Sequence, residues 1–392
     1  MKNYKADIPT EIVDFIQQST DSNVQQLALK KNPFPYFDWK WIINQIAARQ
    51  KAKTKLPTWY NHTQTIFPSL VSVEQTSSEA IAQYKSQLFS GKKLIDLTGG
   101  LGVDTYYFAQ QFEEVIHCEW NEDLSQIAAY NFQLLGAKNI QCVVGDSLEY
   151  LAQTTQTFDC IYVDPARRDE HKNKVFLFED CTPNITTSKN LFLQKANKVI
   201  VKTSPMVDIF DGISQLKSVN KIYVLAYKNE VKELLWVLEK ESKIIEISAV
   251  NITPEKVVEF THILDERECV NLSLPMKYLY EPFSAVLKTG LFNRLAAVFP
   301  VDKLHRHSHL YTSEEKTDFP GRVFKINEIF PFSKKEIKKQ LEGKKMNVTT
   351  RNFHLSVEEL RKKYKIKDGG DIYAFFTTNK NDEKIVILTE KI

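Results

Sequence analysis

At 392 residues, with 43% hydrophobic and 26% charged side chains, the chain has the composition of an ordinary globular protein of two or three domains. No apolar run approaches the roughly 18 residues of a spanning helix, and Met1-Lys-Asn-Tyr-Lys-Ala-Asp-Ile8 lacks the apolar core of a signal peptide, so the expected location is the cytoplasm and no membrane partner is expected. Five cysteines (Cys118, Cys142, Cys160, Cys181, Cys269), odd in number and without CxxC spacing, argue for reduced packing residues over a disulfide framework or a zinc site.

Residues 1–88 read as a helical N-terminal region. Thr10 to Ile16, Val24 to Leu29, Asp38 to Gln50 and Ser77 to Phe89 have helical spacing. Between the last two, Lys51-Ala-Lys-Thr-Lys-Leu-Pro-Thr-Trp-Tyr60 reads as a linker. Its basic residues and aromatic pair could follow a nucleic-acid backbone, or Trp59 and Tyr60 could anchor it to the core, which is the preferred reading.

Leu94-Ile-Asp-Leu-Thr-Gly-Gly-Leu-Gly-Val-Asp-Thr105 organises the rest. A buried strand (Lys93 to Leu97) enters a turn carrying Gly99, Gly100 and Gly102 and then a helix (Val103 to Phe112), a turn at which a ligand can approach bare N–H groups. The second strand, from Glu114 to Cys118, ends in Glu119, 20 residues after Gly99, where a doubly wound sheet places an acid on a ribose. A helix (Asp123 to Leu135) closed by Gly136 leads to a third strand (Ile140 to Gly145) and Asp146, which is either an adenine-facing acid or the N-cap of Ser147 to Ala152. The fourth strand, Phe158 to Val163, delivers Asp164-Pro-Ala-Arg-Arg168. Further strands are expected at 198–202, 221–226 and 244–250, with a helix near 208–216; periodicity leaves 231–238 undecided between helix and strand.

This order resembles the class I S-adenosylmethionine-dependent methyltransferases: Asp96 with Gly99, Gly100 and Gly102 match motif I, Glu119 the ribose acid, Asp146 the adenine acid and Asp164-Pro165 motif IV. More narrowly, the Asp164-Pro-Ala-Arg-Arg form and the chain layout resemble a bacterial group with a THUMP-like C-terminal domain. The resemblance implies an α/β fold, a Rossmann-like class I methyltransferase sheet with a helical N-terminal region and a small α+β C-terminal domain, and it implies S-adenosyl-L-methionine as cofactor. The implied cofactor contacts are Asp96, Thr98, Gly99, Gly100, Gly102, Asp104, Glu119, Trp120, Asp146 and Ser147. Asp164, Pro165 and Arg167 are the implied catalytic residues, and Arg168 and Lys202 face the acceptor.

The expected boundaries are 1–88 for the helical region, 89–252 for the methyltransferase domain, 253–320 for a small α+β or linker domain and 321–392 for a basic THUMP-like domain. In the third of these, His305-Arg-His-Ser-His309 reads as a solvated loop in preference to a metal site, having no Cys or acid partner nearby; no metal is expected. In the fourth, Lys334 to Lys367 holds twelve Lys/Arg against four acids, a net +8 in a chain of net +3. Such a module suits a polyanion, with Lys362 and Lys363 as candidate contacts.

Methylation of an exocyclic amine commonly goes with a second proline and an aromatic after the motif IV acid; Ala166 and Arg167 stand there instead. Five-position methylation of a pyrimidine needs a cysteine nucleophile, and neither Asp164-Pro-Ala-Arg-Arg nor Lys202-Thr-Ser-Pro-Met206 supplies one. The preferred reading is methylation of a base nitrogen in structured RNA (tRNA or rRNA). The rivals are a small-molecule methyltransferase and a non-catalytic RNA-binding protein with a vestigial fold. The oligomeric state is not legible.

Overall fold

The computed structural model describes residues 8–167, 178–241, 244–264 and 270–392. It divides into two compact units, Met1–Ile222 with Glu233–Lys243, and Tyr223–Lys232 with Ile244–Ile392.

The first unit opens with six helices, α1 (Thr10–Gln18), α2 (Val24–Ala28), α3 (Trp39–Lys55), α4 (Pro57–Asn61), α5 (Leu70–Gln75) and α6 (Glu79–Gln87). The expected linker at 51–60 is a correction. Ile42, Ile46 and Ala52 keep the helical stripe going, so α3 runs on through Lys55. Pro57 then ends it at Leu56 and starts α4 from the first turn, where its missing N–H costs nothing. Trp59 is fully buried and packs edge-on to Tyr106 at 5.0 Å, so its ring is closed to a base. Arg49, also buried, donates to the carbonyls of Tyr60, His62 and Thr63. Ala52, Leu56, Trp59 and Ala82 share one core with Leu101, Val103 and Tyr107, which joins the N-terminal helices to the glycine loop's own helix.

Strands β1 (Gly91–Asp96), β2 (Phe112–Glu119), β3 (Ile140–Val144) and β4 (Phe158–Val163) alternate with α7 (Val103–Phe108), α8 (Glu122–Leu134) and α9 (Ser147–Gln153). After the short pair β5 (Ala166–Arg167) and β6 (Cys181–Thr182) come α10 (Ile185–Lys195), β7 (Ala196–Thr203), α11 (Ile209–Leu216), β8 (Val219–Tyr227) and β9 (Glu230–Leu238). β1 pairs with β2 and β4, β2 with β3, and β4 with β7, all parallel; β9 runs antiparallel to β7. Runs such as Leu94-Ile95 and Cys160-Ile161-Tyr162-Val163 are buried on both strand faces. Each fully buried aliphatic side chain there contributes about 1.5–3 kcal/mol against the conformational entropy of folding. The order β9-β7-β4-β1-β2-β3 reverses direction between β1 and β4, the switch point at which such sheets bind ligands beyond their carboxyl ends.

In the second unit, Lys228 and Asn229, both at positive φ, turn the β8–β9 hairpin, and β10 (Glu246–Ile252) pairs antiparallel with β11 (Val257–Ile263). A separate seven-stranded sheet follows, in the order β13-β14-β12-β15-β18-β17-β16. Its strands are β12 (Tyr278–Pro282), β13 (Asp302–Lys303), β14 (Tyr311–Ser313), β15 (Gly321–Pro331), β16 (Asn347–Arg351), β17 (Ile372–Thr378) and β18 (Lys384–Lys391). Helices α12 (Ser284–Thr289), α13 (Phe292–Val298), α14 (Lys334–Gln340) and α15 (Val357–Tyr364) join them. The buried carboxylate of Glu281 on β12 accepts from Arg322 on β15 (Nε, 2.8 Å) and from Arg351 on β16 (Nη2, 2.8 Å), which ties three strands together.

The 305–309 segment differs from the expected solvated loop. His305 is buried, its Nδ1 accepts from the His307 amide at 3.1 Å and its Nε2 lies 3.0 Å from Asp382, while His309 stacks on Phe292 at 3.5 Å. Burial pushes the His309 pKa down to about 4, with Lys303 and Arg351 reinforcing the shift. The His305 ring is used in packing because its nitrogens find partners in turns far away in the chain, at Asp382 and Asn352, whereas His309 is held by stacking and its Nδ1 is buried without a hydrogen-bond partner among the described residues. Among the described residues no His/Cys/Asp/Glu group could hold a metal, and no helix is long and apolar enough to cross a membrane.

Candidate functional site

Four parallel strands end along one edge of the first unit, and each contributes to the loops there. Gly99 follows β1 with its amide bonded to the carbonyl of Cys118 on β2 at 2.8 Å, which draws the loop down onto the sheet. A Cβ on Gly99 would stand 2.3 Å from Nε2 of the fully buried His117, so only glycine fits. Burial pushes the His117 pKa down to about 4 and keeps the ring neutral beneath the loop. Gly102, at φ 79°, starts α7 with Phe132 filling the place of its Cβ at 2.2 Å. Gly100 is the open member: a Cβ there would meet nothing nearer than 3.9 Å.

Glu119 closes the second strand end. Its carboxylate accepts from the Gly100 amide and from the Asn121 amide, both at 2.8 Å, leaving one lone pair on each oxygen. Trp120 beside it is 77% exposed. At the third strand end, Asp146 caps α9: Oδ1 accepts from Leu148 and Glu149 at 2.8 and 3.1 Å, and Oδ2 has no partner among the described residues. Ser147 is the first residue of that helix. Capping and ligand contact are compatible, since they use different oxygens.

Asp96 lies under the loop, 1% exposed, with Oδ1 accepting from the Thr98 amide at 2.9 Å and Oδ2 from the Thr105 hydroxyl at 2.7 Å. Burial is the main cause raising its pKa to about 7, with the charges of Asp104 and Asp164 adding and its hydrogen bonds opposing. The Thr98 hydroxyl in turn accepts from the Asp164 amide at 2.7 Å, a direct link from motif I to motif IV. Asp104 points away from the open face of the loop, to Tyr162 (2.6 Å) and the Lys85 ammonium (3.0 Å). Pro165 follows Asp164 at the fourth strand end, and Asp164 is ion-paired with Lys202 of β7. Burial disfavours a charged Lys202, but Asp164, Glu233 and Asp104 outweigh it and hold the pKa above the ordinary lysine value. Arg167 is described through its backbone pairing with Cys181, and Arg168 lies outside the described residues, as do the 169–177 loop and Cys269. Cys118, Cys160 and Cys181 are buried; burial raises the Cys118 thiol and pushes that of Cys160 up to about 12.

A solved protein of Porphyromonas gingivalis W83, described as a candidate methyltransferase, is 33% identical to this chain over 97% of both, with a TM-score of 0.87. The chain belongs to this methyltransferase family. Within it, residues 91–237 match the RNA cap guanine-N2 methyltransferase family, residues 278–320 a ferredoxin-like domain and residues 321–391 a THUMP domain-like family. An uncharacterized RNA methyltransferase of Mycoplasma mobile is 26% identical over 144 residues, 36% of this chain; the chain spans 40% of that relative's length.

The family's THUMP-like segment presents its charge to solvent. Lys334, Lys335, Lys338 and Lys339 of α14 and Lys362, Lys363 and Lys365 at the end of α15 are all exposed. Ser356 and Glu359 form a capping box that fixes the start of α15. A cleft in the same segment is lined by Thr350, Asn352, Phe353, His354, Thr378 and Lys384, aromatic rings and one cation side by side. Sequence reasoning missed Lys85 and Glu233. A lysine on an amphipathic helix and a glutamate near the start of a strand look solvated until the fold buries them, and no local signal marks either.

Proposed function

We propose that this chain transfers the methyl group of S-adenosyl-L-methionine to a base nitrogen of structured RNA, such as a tRNA or rRNA. The observation that carries the reading is the convergence of the uncrowded Gly100 backbone, the Glu119 and Asp146 carboxylates and Asp164 on one sheet edge. When bound, the cofactor supplies a sulfonium-activated methyl group. The residues present fit it: Gly100 offers close backbone approach, Glu119 two lone pairs for ribose hydroxyls, and Asp146 Oδ2 an acceptor for an exocyclic amine. Trp120 lies beside the ribose acid as a flat apolar face.

Asp164 accepts a hydrogen bond from the acceptor N–H and takes its proton as the nitrogen–carbon bond forms. Alignment of the two reactants supplies most of the catalysis, up to roughly 7–11 kcal/mol of barrier. Arg167 and Arg168 are the neighbouring candidates for stacking or phosphate contact. With Cys118, Cys160 and Cys181 buried as thiols, a covalent pyrimidine route has no nucleophile among them. The match to an RNA methyltransferase family and the exposed lysines, Lys362 and Lys363 among them, favour RNA over a small acceptor.

The test is calorimetric titration with S-adenosylmethionine alongside transfer of labelled methyl to total RNA. Glu119→Ala is expected to weaken cofactor binding about 10–100-fold, and Asp164→Ala to leave binding within about threefold while turnover drops at least tenfold. The reverse pattern would overturn the assignment of roles, and cofactor binding without transfer to any RNA would favour a small acceptor or a vestigial site.

A further inference from the structure

Behind Asp164 lies a cluster of charges that the cofactor site does not use. Lys85 of α6 is fully buried, with its ammonium 2.7 Å from Glu233, 3.0 Å from Asp104, 3.0 Å from the Ser77 hydroxyl and 3.1 Å from the Tyr162 hydroxyl. Glu233 of β9 is 3% exposed; Ser77 donates to its second oxygen at 2.9 Å, and the same oxygen is 4.0 Å from the Lys202 ammonium. Lys202 reaches on to Asp164, whose side chain is 37% exposed and is the cluster's opening to solvent. Fully ionised, two lysines face three carboxylates, and Asp96 lies nearby on β1.

We infer that Glu233 and Lys85 are positioning residues for the Asp164–Lys202 pair. Lys85, surrounded by four oxygens, fixes the Glu233 carboxylate; Glu233 presents Lys202 with a second anion and limits where its ammonium can sit. Lys202 then holds Asp164, the carboxylate of this cluster that reaches the open edge. A cluster serving stability alone gains nothing from ending on an exposed strand-end acid, and buried ion pairs are poor stabilisers against apolar replacements of equal volume. Alignment within fractions of an ångström is what methyl transfer needs, and a fixed second layer supplies it. The N-terminal helical region, which carries Lys85 on α6 and Ser77 in the connection before it, is on this inference part of the catalytic unit. The inference rests on the methyl-transfer reading.

The experiment compares the full chain with Glu233→Gln, and with the milder Ser77→Ala in case the first does not fold. Four quantities are read: calorimetric affinity for S-adenosylmethionine, kcat and KM for methyl transfer to total RNA from cells lacking the protein, and the NMR signal of the Lys202 ammonium, assigned through Lys202→Arg. Glu233→Gln is expected to keep affinity and KM within about threefold, to lower kcat at least tenfold and to shift the Lys202 signal, with Ser77→Ala changing kcat and signal in the same sense but less. A folded Glu233→Gln with unchanged kcat, or with the Lys202 signal unmoved, would overturn the inference. If the wild-type chain transfers no methyl to that RNA, the methyl-transfer reading fails instead, and the Lys202 signal alone decides whether Glu233 positions the pair.

Discussion

Lys85→Ala is expected to destabilise the first unit by about 3–5 kcal/mol, because it takes from Asp104 and Glu233 their nearest cation and leaves only the more distant Lys202. Burial raises the Asp104 pKa and its neighbours, Lys85 first among them, pull it below the ordinary value; without Lys85 the penalty has less to oppose it. All five tryptophans, Trp39, Trp41, Trp59, Trp120 and Trp236, belong to the first unit, so urea unfolding followed by tryptophan fluorescence reads this unit alone. The double variant Lys85→Ala/Glu233→Ala should cost clearly less than the two single changes added together, since each removes the other's uncompensated partner. A single-variant cost below about 1 kcal/mol, or additive costs, would mean the cluster is solvated in a way the geometry denies.

Gly99→Ala should lower cofactor affinity about 10–100-fold and cost about 1–3 kcal/mol of stability. The added methyl meets the His117 ring at 2.3 Å, and the ring has no room to retreat because it is buried against Phe132, centroid to centroid 5.4 Å. The loop must lift, and the Gly100 amide leaves Glu119 with it. Introducing His117→Ala into the same chain vacates the space below and should restore much of the affinity, measured by the same calorimetry. If the double variant binds no better than Gly99→Ala, the loop's height is set by something other than His117.

How much of this was legible before the structure depended on the range of the forces involved. Parallel strands buried on both faces give continuous apolar runs, and glycine at a strand end is local chemistry; both could be read from Leu94 to Asp164. Asp146 shows the limit of that reading, because a cap and a ligand acid look alike in sequence and here use separate oxygens of one carboxylate. α10 was missed: Ile185-Thr-Thr-Ser opens it with β-branched residues that lower helix propensity, and packing of Phe192 and Leu193 overrides them. The undecided run at 231–238 became β9 because pairing with β7 buried it. Lys85 and Glu233 are 148 positions apart, and nothing short of the sheet order brings them together.

The seven-stranded sheet bears on inheritance. β12 lies in the segment that matches a ferredoxin-like domain and β15 in the one that matches a THUMP-like domain, yet they pair from Tyr278↔Lys325 to Pro282↔Gly321. Glu281 adds two arginines from across the same boundary. A gene fusion or recombination that broke the chain between Pro320 and Gly321 would expose two unpaired strand edges and strand a buried carboxylate, a product prone to edge-to-edge aggregation. The two segments can diverge in sequence, but they have to travel between genomes as one piece.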